Sequence, residues 1–196
     1  MLRVNRQRSG RQALIDQLQG AGYAASAHPW LSDALVLPHS TDVTRMPGFE
    51  DGFFAVQDGA AQVAADLADL RDGLRVLDAC AAPGGKACHL LERADIDLTA
   101  LEFDAPRAER IRQNLMRLRL NAKVVIGDAG APRGWWKGQP FDRILIDAPC
   151  SATGVLRRRP DERLHRRESD IAAMHAQQRR ILAALWPLLA PAGRLV

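Results

Sequence analysis

The sequence has little cysteine and little lysine, and it lacks any long apolar run. The three cysteines, Cys80, Cys88 and Cys150, are an odd number in 196 residues and form no CxxC pair. That excludes a disulfide scaffold and argues against a zinc site. They read as reduced thiols of a cytoplasmic protein. His28, His39, His89, His165 and His175 show no metal-ligand spacing, so no metal is expected. The longest charge-free apolar stretch, Ile181 to Gly193, contains two prolines. It falls short of the roughly 20 residues that span a bilayer, so no membrane partner is expected. No secretory leader pattern opens the chain, because Leu2 is followed at once by Arg3, Arg6 and Arg8. No internal repeat and no low-complexity tract interrupts it.

The charge is carried almost entirely by arginine. There are 3 Lys against 24 Arg, and the net charge is +4. Arginine forks bind phosphate in bidentate fashion and stack on bases. A nucleic-acid partner is one reading of this bias, and a GC-rich genome is the other. Arg3, Arg6, Arg8 and Arg11 sit among the first twelve residues with no acid between them. Arg157, Arg158 and Arg159, followed by Arg163, Arg166 and Arg167, form a second basic segment. Arg3, Arg6, Arg157, Arg158 and Arg159 are therefore candidate phosphate contacts.

Hydropathy patterning divides the chain in two. Residues 1–56 read as a small α+β annex. Leu2–Val4 alternates like a strand, Ser9 fits an N-cap, and Leu14, Ile15 and Leu18 form a helical stripe. Prolines and glycines punctuate the rest, with a short strand expected around Ala34 to Leu37. From residue 57 to 196, strands and helices alternate. Asp58 reads as a cap for a helix whose apolar face is Val63, Leu67 and Leu70, closed by Gly73. Strands follow at 74–78, 98–102, 123–126 and 143–147. Helices are expected at 85–93, 105–119 and about 169–189, and Gly193 opens a last strand. Alternation with short loops predicts an α/β fold with a parallel, doubly wound sheet.

The sharpest local signal is Asp78-Ala-Cys-Ala-Ala-Pro-Gly-Gly-Lys86, which leaves one strand and opens a helix. It fits neither GxGxxG nor GxxxxGK[ST], so dinucleotide and phosphate binding are disfavoured. A nicotinamide dehydrogenase is correspondingly weak. Four successive strands end in Asp78, Glu102, Asp128 and Asp147. Acids at the carboxyl ends of parallel strands form a ligand rim. A ribose-bearing ligand without a phosphate chain suits it, and S-adenosylmethionine is such a ligand. The segment Asp147-Ala-Pro-Cys150-Ser then presents a thiol beside the cofactor turn. A thiolate adding to carbon 6 of a pyrimidine makes carbon 5 nucleophilic enough to take a methyl group.

Cys80-Ala-Ala-Pro-Gly-Gly-Lys86 together with Asp147-Ala-Pro-Cys-Ser151 resembles the RNA cytosine-C5 methyltransferase family of Sun/Fmu type. Ser151 to Arg158 and Pro47-Gly-Phe-Glu-Asp-Gly52 resemble the members that act on 16S ribosomal RNA. The resemblance implies a Rossmann-like class I methyltransferase sheet with S-adenosylmethionine as cofactor. It implies that Cys80, Ala81, Ala82, Pro83, Gly84, Gly85 and Lys86 wrap the methionine end. Glu102 would hold the ribose hydroxyls, where many relatives carry Asp, and Asp128 would contact the adenine. Asp147 would lie between cofactor and target base, and Cys150 would help release the product. Cys150, Asp147 and Lys86 are the catalytic candidates. The annex resembles the family's small RNA-binding subdomain. Members carry their nucleophile in a Thr-Cys-Ser motif after the strand following the long helix. Here that strand begins at Gly193–Val196, where the chain ends, and no Thr-Cys dipeptide occurs. The sequence is thus expected to be part of a longer product, with its sheet incomplete. Two alternatives follow: a cofactor- and RNA-binding unit without turnover, or Cys150 itself as the nucleophile. The oligomeric state is not legible.

Overall fold

The computed structural model describes residues 1–152, 154, 161, 164 and 167–196. Two sheets organise it. The first is antiparallel, with β1 (Leu2–Val4), β2 (Ser26–Ala27), β3 (Ala34–Val36) and β4 (Phe54–Val56) in the order β2-β3-β1-β4. Helix α1 (Arg11–Gly20) covers it through Leu14, Ile15 and Leu18, all buried with Leu2, Val4 and Phe54. The cap of α1 differs from the expectation. Its N-cap is Gly10, whose backbone is extended, while the Ser9 hydroxyl turns to the Gly10 carbonyl at 3.2 Å.

The second sheet has five parallel strands: β5 (Arg75–Ala79), β6 (Asp97–Glu102), β7 (Lys123–Ile126), β8 (Phe141–Ile146) and β9 (Leu189–Leu195), in the order β7-β6-β5-β8-β9. Helices α2 (Gly59–Leu67), α3 (Gly85–Arg93) and α4 (Ala105–Leu118) cover one face, with Ala65, Ala87, Leu90, Ile111 and Leu115 in the core. Helix α5 (Glu168–Leu185) covers the other through Ile181 and Leu185. Strand order reverses between β5 and β8, and their carboxyl ends flank the crevice where such sheets take ligands. This is the Rossmann-like arrangement that the alternation implied. None of the helices is long and apolar enough to cross a membrane among the described residues.

Three local expectations are corrected. The buried face of α2 is Gln62 and Ala65, while Val63 and Leu67 are 38% and 55% exposed. Small residues face α3 because they let the two helices approach closely. The helix ends at Leu67, well before Gly73. The long helix ends at Leu185, and Pro187 sits in a 3-10 turn that delivers the chain to β9 at Leu189, ahead of Gly193. The pairing of β9 with β8 is irregular between Phe141 and Arg143.

The largest correction concerns Arg3, which was expected to contact RNA. It is 0% exposed. Its guanidinium donates to both carboxyl oxygens of Glu92 at 2.8 and 2.7 Å, to Gln57 at 2.7 Å and to the Gly85 carbonyl at 2.6 Å. A desolvated charge requires such a full set of partners. Arg6 remains partly exposed but its charge is met by Asp33. Burial would raise the Asp33 carboxyl, but hydrogen bonds from His89, Arg6 and Arg93 hold it well below the usual carboxylate range. Arg3 and Asp33 thus fasten the antiparallel sheet to α3.

Removing one partner of a buried ion pair leaves the other uncompensated. Arg3→Ala is expected to lower the unfolding free energy by about 3–5 kcal/mol, read from urea denaturation. The double variant R3M/E92L recovers most of that loss, because it removes both charges. A single variant that unfolds at the native midpoint would contradict the clamp.

Candidate functional site

The site is built from the loops that leave β5, β6, β7 and β8. Strand β5 ends at Ala79, and Cys80 follows with φ +62°. The turn through Ala81, Ala82 and Pro83 contains a cis Ala82–Pro83 peptide. Gly84 has φ +98°, a left-handed conformation that a Cβ would strain, and it would also crowd Ile111 at 3.2 Å. Gly85 and Lys86 then start α3. The turn is tied to its neighbours on both sides. The Ala81 amide donates to the Leu101 carbonyl at 3.0 Å, and the Asn114 side chain donates to the Pro83 carbonyl at 2.9 Å.

The predicted acids occupy four different environments. Asp78 alternates inward from β5 and is fully buried. The Ala87 backbone amide is directed at its carboxyl, and no side chain hydrogen-bonds it. It is closed off from solvent, where its strand-end position suggested an open rim acid, yet it still feels Asp147, Lys86 and Glu102. Burial, with Asp147 nearby, pushes its carboxyl up to about 8 against the pull of Lys86. It is mostly neutral at pH 7. Glu102, at the end of β6, is also buried but accepts the Ala82 amide and the Asp104 amide, each at 3.1 Å. Asp128 follows β7 and is held by two parallel hydrogen bonds from Arg180, at 2.8 and 2.9 Å, and by the Gly130 amide at 2.8 Å. Arg180 draws the Asp128 carboxyl below its ordinary value. Asp147 follows β8 and accepts from Lys86 Nζ at 2.6 Å.

That ion pair joins the two sequence motifs. Lys86 comes from the turn after β5, and Asp147 opens the loop after β8. Cys150 lies exposed on the same loop. The Gln178 side chain, from α5, donates to the Pro149 carbonyl at 2.8 Å and so anchors that loop. Cys80, by contrast, is partly buried, and burial with the surrounding Glu102, Asp78 and Asp147 pushes its thiol up to about 11. That disfavours its thiolate at neutral pH.

A cavity of about 340 Å³ opens over these strand ends, lined among others by Cys80, Glu102, Phe103, Asp128, Pro149 and Arg180. Its size is within the range of small-ligand sites. Of the cofactor residues expected from sequence, Cys80, Glu102 and Asp128 line it. Lys86 and Asp147 form their pair beside the Cys150 loop. Pro83 and Gly85 line a separate cavity of about 200 Å³ toward Arg3 and Cys88, and Ala81, Ala82 and Gly84 shape the turn without facing either. Arg157, Arg158 and Arg159 lie outside the described residues.

A family model described as 16S rRNA methyltransferase RsmB/F matches residues 65–196. The chain belongs to that family. A second model, the ferredoxin-like domain of RsmF/B-like methyltransferases, matches residues 1–44. "Ribosomal RNA small subunit methyltransferase B" of Pseudomonas syringae pv. tomato is 50% identical over 198 residues, covering 100% of this chain and 44% of the relative. The crystal structure of PH0851 superposes with a TM-score of 0.94 at 28% identity, covering 99% of this chain and 44% of that one. A methyltransferase homolog from Pyrococcus horikoshii superposes with 0.84 at 29% identity, covering 99% and 62%. The chain thus spans under half the length of the curated relatives it matches.

Within this RsmB/F-family site, sequence reasoning missed Arg180, Gln178 and Phe103. Arg180 and Gln178 flank the apolar stripe of α5, and nothing local separates them from solvated helix residues. Phe103 is 74% exposed beside Glu102. An exposed aromatic directly after a strand-end acid was the available signal. Trp135 and Trp136 pack against the core on the α5 face.

The Asp78 environment has a measurable consequence. Folding raises its carboxyl from an ordinary 3.8 to about 8, so the folded state keeps a proton that the unfolded chain releases. Its contribution is full below pH 3.8 and is lost as pH rises toward 8. Between pH 5 and 8 the native protein is expected to lose thermal stability more steeply than Asp78→Asn. Parallel Tm-against-pH curves for the two would show that Asp78 ionises normally.

Proposed function

We propose that this chain binds S-adenosylmethionine over the carboxyl ends of β5 to β8 and takes part in methylating carbon 5 of a cytosine in 16S ribosomal RNA. The observation that carries this reading is the Lys86–Asp147 pair at 2.6 Å, which sets the turn after β5 directly against the loop bearing Cys150. The fit to the cofactor rests on the cavity, on the buried Glu102 carboxylate and on the glycine-turned start of α3. Membership of the RsmB/F family supports it.

In this reading Glu102 holds the ribose hydroxyls. Two backbone amides already fix its carboxylate, so it is oriented before the ligand arrives. Asp128 accepts from the adenine amino group. Residues Cys80 to Lys86 follow the methionine end, with Gly84 and Gly85 keeping side chains out of the way. When bound, S-adenosylmethionine supplies the methyl group on a sulfonium. Asp147 hydrogen-bonds the edge of the target cytosine, and Lys86 Nζ, donating to it at 2.6 Å, holds that carboxylate in place. The base must leave its stack to reach this depth. Cys150 stands at the loop tip beside the base and assists product release. The ferredoxin-like annex and Arg157, Arg158 and Arg159 bind the RNA backbone, and Arg6 contributes where it is exposed. The protein acts in the cytoplasm.

A second reading rests on a fact of the sequence: no Thr-Cys dipeptide occurs in these 196 residues. The chain then binds cofactor and RNA without turnover. Transfer of labelled methyl groups from S-adenosylmethionine to unmodified 16S RNA, with cofactor retention measured in the same sample, separates the two. Transfer that falls at least about tenfold in Lys86→Ala supports the first reading, and a covalent adduct with 5-fluorocytosine RNA that is lost in Cys150→Ala would move Cys150 from product release to nucleophile. Retention without transfer supports the binding reading. Absence of both retention and transfer refutes the cofactor assignment.

A further inference from the structure

We infer that Arg180 is a specificity-determining residue, which aims the Asp128 carboxylate so that one acceptor position faces the adenine amino group of the cofactor. The inference rests on the cofactor reading above and deepens it. Both Asp128 and Arg180 line the 340 Å³ cavity. Nη1 and Nη2 of Arg180 each donate to a different Asp128 oxygen, at 2.8 and 2.9 Å. The Gly130 amide occupies a further position on Oδ1 at 2.8 Å. An ionised carboxylate offers about four lone-pair positions. Three are used, and the one left lies on Oδ2. The bidentate fork also fixes the carboxylate plane, which a single hydrogen bond or a point charge does not do.

The backbone is shaped for this contact. A Cβ on Gly130 would overlap the Arg180 guanidinium, so glycine at that position lets the fork seat against the loop after β7. Arg180 Nε donates to Gln177 at 3.1 Å, which holds the guanidinium from its other side. Gln177 lines the same cavity. The pair is partly exposed, with side chains 43% and 32% accessible, so its effect on global stability is small. Its effect on a ligand that closes over it is larger, because the ligand excludes the water that would otherwise solvate a misaimed carboxylate.

The test is a cycle that pairs a protein change with a ligand change. S-adenosylhomocysteine and its 6-deamino analogue, with purine in place of adenine, are titrated calorimetrically into the native protein and into Arg180→Ala. The native protein is expected to prefer the amino-bearing ligand about tenfold, the size of one hydrogen bond to a charged group. In Arg180→Ala the preference narrows to within about threefold, and Arg180→Lys falls between, since lysine keeps the charge and loses the fork. A structural role for Arg180 weakens both ligands equally and leaves the preference at its native value, which overturns the inference. Equal binding of both ligands to the native protein overturns it as well. Binding of neither ligand overturns the cofactor reading itself. Should Arg180→Ala not fold, the Arg180→Lys preference decides alone, by the same comparison.

Discussion

Arg3 has no contact with water, so its guanidinium must find every partner inside the protein. It does so by bridging two sheets. From β1 it reaches Glu92 in the last turn of α3, the carbonyl of Gly85 in the first turn, and Gln57 just past β4. Burial pushes the Glu92 carboxyl up, and the facing guanidinium opposes that shift. Neither charge is tolerable alone. Asp33 extends the clamp from β3's entrance to His89 and Arg93 on the same helix. Helix α3 begins directly after the Gly84 turn. The annex is thereby clamped to the helix whose first residues include Lys86.

The same end of the parallel sheet gathers four carboxyl groups, which would repel one another if all were bare. Each is dealt with differently. Asp78 is buried and holds its proton. Glu102 is buried but accepts two backbone amides. Asp128 is gripped by a guanidinium fork, and Asp147 by an ammonium. The first two are set by the fold of the strand ends, and the last two by side chains reaching in from α5 and α3. One crevice thereby offers a fixed acceptor pair at its middle, a directed acceptor at one end, and an ion pair at the other beside the Cys150 loop. That gradation suits a ligand with a ribose between an aromatic base and a charged tail.

Helix α5 connects the two ends of this crevice. Arg180 reaches Asp128 and Gln178 reaches the Pro149 carbonyl, while Ile181 and Leu185 bury the intervening face against β8. A helix held by its apolar stripe thus delivers polar groups at both edges of the stripe. The strand that follows it, β9, pairs parallel with β8.

Much of this was legible in sequence. The strand-helix alternation after residue 57 appears where expected because apolar runs of β-branched and leucine residues are bounded by glycine, proline and capping acids. The bounds of α3 and β7 match residue for residue, and Asp104 caps α4 with its side chain at 2.8 Å. The family was reached through the resemblance of two motifs, a step that hydropathy patterning alone does not make. The misreadings share one cause. Val63 and Leu67 looked like a core face, but the small residues of α2 meet α3. Arg3 looked like a phosphate contact, but Glu92 lies 89 positions away. Asp78 looked like an open rim acid, but β5 is the middle strand and is covered on both faces. Periodicity and turn chemistry act over a few residues, so the sequence alone determined the elements, their order and the glycine turn that opens α3. Burial and ion pairing depend on what the folded chain brings alongside, so only the tertiary structure decided which charges are buried, which are clamped and which line the cavity.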